Sequence, residues 1–216
     1  MKKNYNTILF DLDGTLTNPK VGITKSIQYA LKYFGIFESD LENLNKFIGP
    51  PLKDSFKKYY NFSDVDANNA VEKYREYFSD KGIFENKLYN GIVELLNKLY
   101  NKDKNLIIAT SKPKIFAERI LTYFNIDKYF TFVAGSNLDG TLSRKGEVIS
   151  HALEVCKCEK DNVIMVGDRK YDIIGAKEIK IHSIGVLYGY GSYEELKKEQ
   201  PEYIVKDING LSQILD

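Results

Sequence analysis

The stretch Ile8-Leu9-Phe10-Asp11-Leu12-Asp13-Gly14-Thr15-Leu16 joins a short apolar run to two carboxylates and a Gly-Thr pair. Three consecutive apolar residues predict a buried strand. Carboxylates at i and i+2 would point the same way along a continuing strand. At a strand end they aim two negative charges at one spot, where a divalent cation relieves their repulsion. Taken alone, the same residues also suit a strand ending in an Asx-rich turn, because Asp and Gly are common turn residues. Two later segments decide between these readings.

A chain of 216 residues allows one large domain, or a core with a modest second module. Lys and Arg total 31 against 30 Asp and Glu, a net charge of +1, which does not suggest a surface for a nucleic acid polymer. A hydrophobic content of 43% is enough for a sizeable core. The N-terminal Met1-Lys2-Lys3-Asn4-Tyr5 is basic, but the apolar run behind it breaks at Asp11, too early for a signal peptide. Nothing later reaches membrane-spanning length, so no membrane partner and a cytoplasmic protein are expected. A monomer is the default expectation. Cys156 and Cys158 lack further cysteines to complete a zinc site and stand too close for an ordinary stapling disulfide, so free thiols are expected. His151 and His182 lie in apolar-periodic segments and read as structural.

After the first strand, Thr17-Asn18-Pro19 signals a turn and a helix start. Ile23, Ile27, Ala30, Leu31 and Phe34 recur at helical spacing, and Gly49-Pro50-Pro51 then breaks the chain. Leu52–Tyr60 and Val65–Phe78 again read as helices. Residues from about Thr17 to Glu85 thus predict an all-helical block without a strand. From Leu88 the texture changes. Helices over Gly91–Tyr100, Lys114–Phe124, Lys145–Cys156 and Tyr171–Lys177 precede strands at Leu106–Ala109, Tyr129–Ala134, Val163–Val166 and Ile181–Leu187, and Tyr203–Val205 follows before a last helix. This alternation predicts an α/β fold: a three-layer, Rossmann-like parallel sheet with helices on both faces. The expected domains are a core from 1–16 and 87–216 and an inserted all-helical cap over 17–86. Such sheets bind ligands beyond the carboxyl ends of their strands. A block inserted after the first strand is expected to form a lid there.

Three strand ends carry chemistry. Asp11 and Asp13 follow the first strand; Thr110-Ser111-Lys112-Pro113 follows the second; Gly167-Asp168-Arg169-Lys170-Tyr171-Asp172 follows a third. Lys145 opens a helix between the last two. Together they offer carboxylates, a hydroxyl pair and a cation. That set suits phosphoryl transfer to water: one carboxylate as nucleophile, another as acid and base, and hydroxyl, N–H and Lys groups on the phosphate oxygens. Mg²⁺ held by oxygens would offset the repulsion between carboxylates and phosphate. Read singly, Thr110 and Ser111 also suit a helix cap, and Lys145 also suits a solvated surface.

With these motifs in this order, nearly the whole chain resembles the haloacid dehalogenase superfamily of phosphohydrolases. It looks closest to the phosphoglycolate phosphatase-like group with a small helical cap, some of whose neighbours are assigned as 5′-nucleotidases. Phe47-Ile48-Gly49-Pro50-Pro51-Leu52 and Gly185-Val186-Leu187-Tyr188-Gly189-Tyr190-Gly191 resemble that group too. The resemblance implies Asp11 as nucleophile and Mg²⁺ ligand, and Asp13 as general acid/base with its backbone carbonyl on the metal. It implies Thr110 and the N–H of Ser111 on the phosphate, Lys145 neutralising Asp11 and the phosphate, Asp168 on Mg²⁺, and Asp172 behind it. Lys145-Gly146-Glu147-Val148 departs from the Lys-Pro-x-Pro of many relatives but keeps the lysine.

The expectation is a Mg²⁺-dependent phosphatase acting on a small phosphorylated metabolite, phosphoglycolate or a nucleoside 5′-monophosphate. Asp13 argues against a dehalogenase, which needs no carboxylate there. A β-phosphoglucomutase-like mutase shares both aspartates. A phosphonatase would need a cap lysine for an imine, and Lys25 and Lys53 are only two of many. A non-catalytic module on the same fold would have lost several of the motif residues. Lys53 and Arg75 could meet an anionic substrate, while Tyr59, Tyr60, Tyr74, Tyr77 and Phe78 read as cap core.

Overall fold

Six mostly apolar runs form a parallel sheet in which consecutive strands are linked by crossovers rather than hairpins. The computed structural model describes residues 4–216; Met1, Lys2 and Lys3 of the basic N-terminus lie outside the described residues. In spatial order the strands are Phe132–Ser136, Asn105–Pro113, Thr7–Phe10, Val163–Gly167, His182–Val186 and Tyr203–Val205. Every adjacent pair is parallel. Ile8 is in register with Leu106 on one side and Ile164 on the other. The order of connection reverses at Thr7–Phe10, the switch point at which doubly wound sheets bind ligands.

The pleat sends alternate residues to opposite faces. Leu9, Ile107, Ala109 and Met165 pack with Val148, Ile149, Ala152 and Leu153 of helix Lys145–Cys156 and with Ala176 of helix Lys170–Ile179. Ile8 and Phe10 point the other way and are equally buried. Helix Lys114–Tyr123 packs on the two strands nearest the Phe132–Ser136 edge, and helices Ile92–Tyr100 and Ile208–Leu215 pack together.

Three local expectations need correction. The strand expected over Tyr129–Ala134 starts at Phe132, because Tyr129 N–H and Phe130 N–H close a 3-10 turn onto Ile126 O and Asp127 O. Thr17–Asn18, expected at the start of the helical block, is a two-residue strand, tied by Gly14 N–H to Thr17 O at 2.8 Å and Thr17 N–H to Leu12 O at 3.0 Å. Helix Tyr193–Lys198 was not expected, although Ser192-x-x-Glu195 is a capping signature; the Ser192 hydroxyl accepts from Glu195 N–H at 3.1 Å.

The chain divides into one unit that runs to Asn18 and again from Leu88 to Asp216, and a second over Pro19–Lys87. The second unit is helical, with helices Lys20–Tyr33, Leu52–Tyr60 and Asp64–Tyr77, a 3-10 segment Leu41–Phe47 and a π turn Phe78–Gly82. Ile23, Ile27, Leu31, Phe47, Phe56, Tyr74 and Phe78 form its buried interior. Tyr59, Tyr60 and Tyr77 are only half-buried. Lys53 pairs with Asp64 at 3.2 Å and Arg75 with Glu72 at 3.0 Å. Both cysteines are free thiols. Among the described residues no helix is long and apolar enough to cross a membrane.

Candidate active site

The first strand hands its residues to a tight loop. Asp11 N–H still bonds to Val166 O at 2.9 Å, and then the N–H groups of Thr15, Leu16 and Thr17 all turn back onto Leu12 O. Gly14 makes this turn possible with φ +86°, a conformation that side chains resist. A Cβ at Gly14 would stand 2.3 Å from Asp168 Oδ2. Gly14→Ala is therefore expected to displace Asp168 and to lower activity about 100-fold, the scale of a 1 Å misplacement at a reacting site. Steady-state kinetics on the folded variant would check this, and near-wild-type activity would show that the loop tolerates the methyl group.

Four carboxylates and two lysines converge on the sheet edge, all buried: Asp11, Asp13, Asp168, Asp172, Lys112 and Lys145. Lys145 opens its helix, as the spacing predicted, and its ammonium meets three acceptors. These are Asp11 Oδ1 at 2.8 Å, Asp172 Oδ1 at 2.8 Å and Ala109 O at 3.0 Å. Lys145 thus pairs ionically with both carboxylates and donates a hydrogen bond to the Ala109 carbonyl. Burial alone would lower its pKa, but Asp11 and Asp172 outweigh that and hold it above the usual lysine value.

Asp172 sits in the first turn of its helix. Its Oδ2 accepts from Arg169 N–H at 3.0 Å, an N-terminal cap, while Oδ1 faces Lys145. Burial, together with the charge of Asp11, raises its pKa to about 6 against the pull of Lys145. Asp168 follows its strand directly, with Oδ2 accepting from Tyr190 N–H at 2.7 Å and Oδ1 from the Thr15 hydroxyl at 3.4 Å. Burial first, then Asp172 and Asp11, push its pKa well above the carboxylate range. Burial also raises Asp13, opposed by Lys112 at 2.7 Å from Oδ2.

One carboxylate oxygen each from Asp11, Asp168 and Asp172 lies within 4.8 Å of the other two. The donors are all hard oxygens, as Mg²⁺ or Ca²⁺ requires. With all four carboxylates ionised, the two lysines leave two negative charges uncompensated, and Asp13 Oδ1 has no hydrogen-bond partner. A divalent cation fits this set in charge and chemistry. The carboxylate of Asp13 turns to Lys112 rather than joining the triad.

Thr110 and Ser111 are not cap residues. The strand continues through Pro113 and the helix begins at Lys114. Thr110 is buried and accepts from Lys112 N–H at 3.3 Å; Ser111 is half-buried and its carbonyl accepts from the Ser136 hydroxyl at 2.9 Å. The sequence motifs alone give Lys112 no role. Its signal was the i, i+2 spacing from Thr110 on a strand, which places both on one face. Tyr188 and Tyr190 were also unassigned. The Tyr188 hydroxyl donates to Thr15 O at 3.1 Å and the Tyr190 hydroxyl to Asn18 Oδ1 at 2.6 Å. The histidines stand outside the carboxylate triad: His151 packs edge-on to Phe132 and His182 pairs with Glu202.

Residues 8–186 match the model of the haloacid dehalogenase-like hydrolases. The chain is 45% identical over 212 residues to a 5′-nucleotidase of Pseudomonas aeruginosa, covering 98% of this chain and 96% of that protein. It is 34% identical over 191 residues to the tyrosine-protein kinase PtkA of Mycobacterium tuberculosis, covering 88% of this chain and 65% of that protein. The crystal structure of a "predicted phosphatase" from Clostridium acetobutylicum superposes with a TM-score of 0.96 at 51% identity, covering 98% of each chain. The match over most of the chain and the shared fold agree: the chain belongs to the haloacid dehalogenase-like hydrolases and is a hydrolase of their phosphatase type.

Proposed function

We propose that this chain hydrolyses a small phosphate monoester with Mg²⁺ through an aspartyl-phosphate on Asp11, acting as a cytoplasmic monomer. The observation that carries this is the buried triad Asp11, Asp168 and Asp172, with Lys145 tying the first to the third. These three carboxylates would hold the cation, with the Asp13 backbone carbonyl beside them. A bound divalent cation supplies charge neutralisation, so that a phosphate dianion can approach a carboxylate nucleophile.

Lys145 holds Asp11 Oδ1 and so fixes the plane of the carboxylate. A carboxylate oxygen of Asp11 attacks phosphorus as the bond to the ester oxygen breaks, and Asp13 gives its proton to that oxygen. Asp13 then takes a proton from water as the water attacks the aspartyl-phosphate, releasing phosphate and restoring Asp11. The raised pKa of Asp13 suits a group that must carry a proton. Thr110 and Ser111 N–H would hold phosphate oxygens. We assign choice of the leaving group to the helical unit Pro19–Lys87 as a cap.

A nucleoside 5′-monophosphate is favoured by the 45% identity to a 5′-nucleotidase, with phosphoglycolate as the second choice. The test is phosphate release with Mg²⁺ from 2-phosphoglycolate, nucleoside 5′-monophosphates, hexose phosphates and pyrophosphate. One substrate with much the highest kcat/KM names the class. Transfer of label to tyrosine rather than water, or mutase activity on hexose phosphates with a bisphosphate activator, would overturn the hydrolase reading. A phosphonatase imine is disfavoured at Lys25, whose amine is engaged in an ion pair with Glu85.

Cation binding should depend on pH in a definite direction. Asp168 and Asp172 have folded pKa values above their unfolded ones. Their ionisation thus destabilises the metal-free fold; for Asp172 stability falls as pH rises from about 4 to about 6, and Asp168 acts in the same direction. Mg²⁺ binds the ionised form, so the gain in Tm on adding Mg²⁺ should be larger at pH 7.5 than at pH 5. At a hundredfold excess over Kd the fold gains about 2.7 kcal/mol of stability. Equal Tm gains at both pH values would show that these carboxylates do not hold the ion.

A further inference from the structure

The strand carrying Thr110 contains a bulge. Ala109 pairs with Ala134 and Pro113 with Ser136, so the Thr110 side fits two more residues than its neighbour. The neighbour accommodates this with Gly135, where a Cβ would stand 2.7 Å from Lys112 O and from Lys114 N. The Ser136 hydroxyl fastens Ser111 O at 2.9 Å, and Lys112 N–H turns onto Thr110 Oγ1 at 3.3 Å. Such bulges re-aim side chains at strand ends. Thr110 and Lys112 are both buried while Ser111 between them is half-exposed.

Lys112 is thereby stretched inward, with its ammonium 2.7 Å from Asp13 Oδ2 and the side chains 6% and 11% exposed. The other oxygen, Oδ1, is buried and makes no hydrogen bond. An ammonium only donates. It therefore occupies Oδ2 as an acceptor and leaves Oδ1 as the oxygen available to the reaction.

We infer that Lys112 is a positioning residue for Asp13: it clamps Oδ2 so that Oδ1 alone faces the ester oxygen. This rests on the proposed role of Asp13 as general acid. In the step, the proton on Oδ1 passes to the ester oxygen as the P–O bond breaks, and Lys112 keeps all three of its own. A phosphate-binding lysine would act equally on every ester. A lysine acting through the acid matters only where the leaving group needs a proton.

The experiment compares kcat/KM, which covers events up to departure of the leaving group, for p-nitrophenyl phosphate and β-glycerol phosphate. p-Nitrophenolate leaves without a proton; an alkoxide does not. Lys112→Met should lose about 100-fold more on the alkyl ester than on the aryl ester, the scale of general acid catalysis. Lys112→Arg should restore most of the difference, and Lys112→Met should add nothing in an Asp13→Asn background. Equal losses on both esters, or a full additional loss without Asp13, would overturn the inference. If Lys112→Met does not fold, Lys112→Gln carries the same comparison. Absence of phosphate release by the wild type from either ester would instead overturn the phosphatase reading. In that case a crystal structure of the variant still decides the clamp, which is refuted if the Asp13 carboxylate keeps its orientation without Lys112.

Discussion

Asp11→Asn is expected to abolish phosphate release, by a factor on the order of 10⁴ or more, while the protein stays folded. An amide cannot form the acyl phosphate, so the covalent route closes altogether. The fold should survive because Lys145 keeps Asp172 Oδ1 at 2.8 Å and Ala109 O at 3.0 Å. The new amide oxygen can accept where Oδ1 did. One of the charges that push Asp168 and Asp172 upward is also gone, which offsets what the ion pair loses. Three measurements check the prediction together: phosphate release, a thermal melt by circular dichroism, and intact mass after an acid quench. The mass should gain one phosphoryl group in the wild type only. Retained turnover in a clean preparation of the variant would remove Asp11 from the nucleophile's role.

Lys145→Met should damage stability and activity at once. The side chain is 5% exposed and meets two carboxylates and one carbonyl. Removing it leaves Asp11 and Asp172 buried near one another without their shared cation. Breaking one side of a buried ion pair costs about 3–5 kcal/mol, which for a chain of this size lowers Tm by roughly 6–20 °C. The kcat should fall about 10²–10³-fold, the usual effect of deleting one stabilising donor at a reacting centre. Mg²⁺ should recover more Tm in this variant than in the wild type, because the ion meets a more negative site. The folded pKa of Lys145 is raised, so its stabilisation is complete below the unfolded lysine value and is lost only as pH rises through the folded one. The gap in stability between wild type and variant should therefore be widest near neutral pH and narrow in strong alkali. A variant as stable as the wild type would mean that the two aspartates find another partner.

Asp11 and Lys145 differ in how far their local sequence marks them. Asp11 announces itself locally, as a carboxylate closing an apolar run with Asp13 two residues on. Lys145 has no local mark; many lysines open helices, and only its place between the second and third strand ends singled it out. Its three acceptors come from three separate segments, at Asp11, Ala109 and Asp172. No periodicity reports such a meeting.

What the amino-acid sequence determined by itself was the α/β alternation and hence the parallel sheet. Apolar runs such as Val163–Val166 and helical repeats such as Ile23, Ile27, Ala30 and Leu31 are short-range patterns. They depend on which face a residue presents, and that follows from backbone geometry within a few residues. Element edges were less well determined, because hydrogen bonds such as Thr17 N–H to Leu12 O and Phe130 N–H to Asp127 O set them. The tertiary structure alone decided the rest: that the strand beyond Thr110 bulges, that Gly135 of the adjacent strand makes room for it, and that Lys112 reaches Asp13. It also decided that Asp172, and not the carboxylate of Asp13, completes the triad with Asp11 and Asp168. A carboxylate's partner is whichever group lies within about 3 Å of it, and groups distant in the chain reach that distance only when the sheet has closed around them.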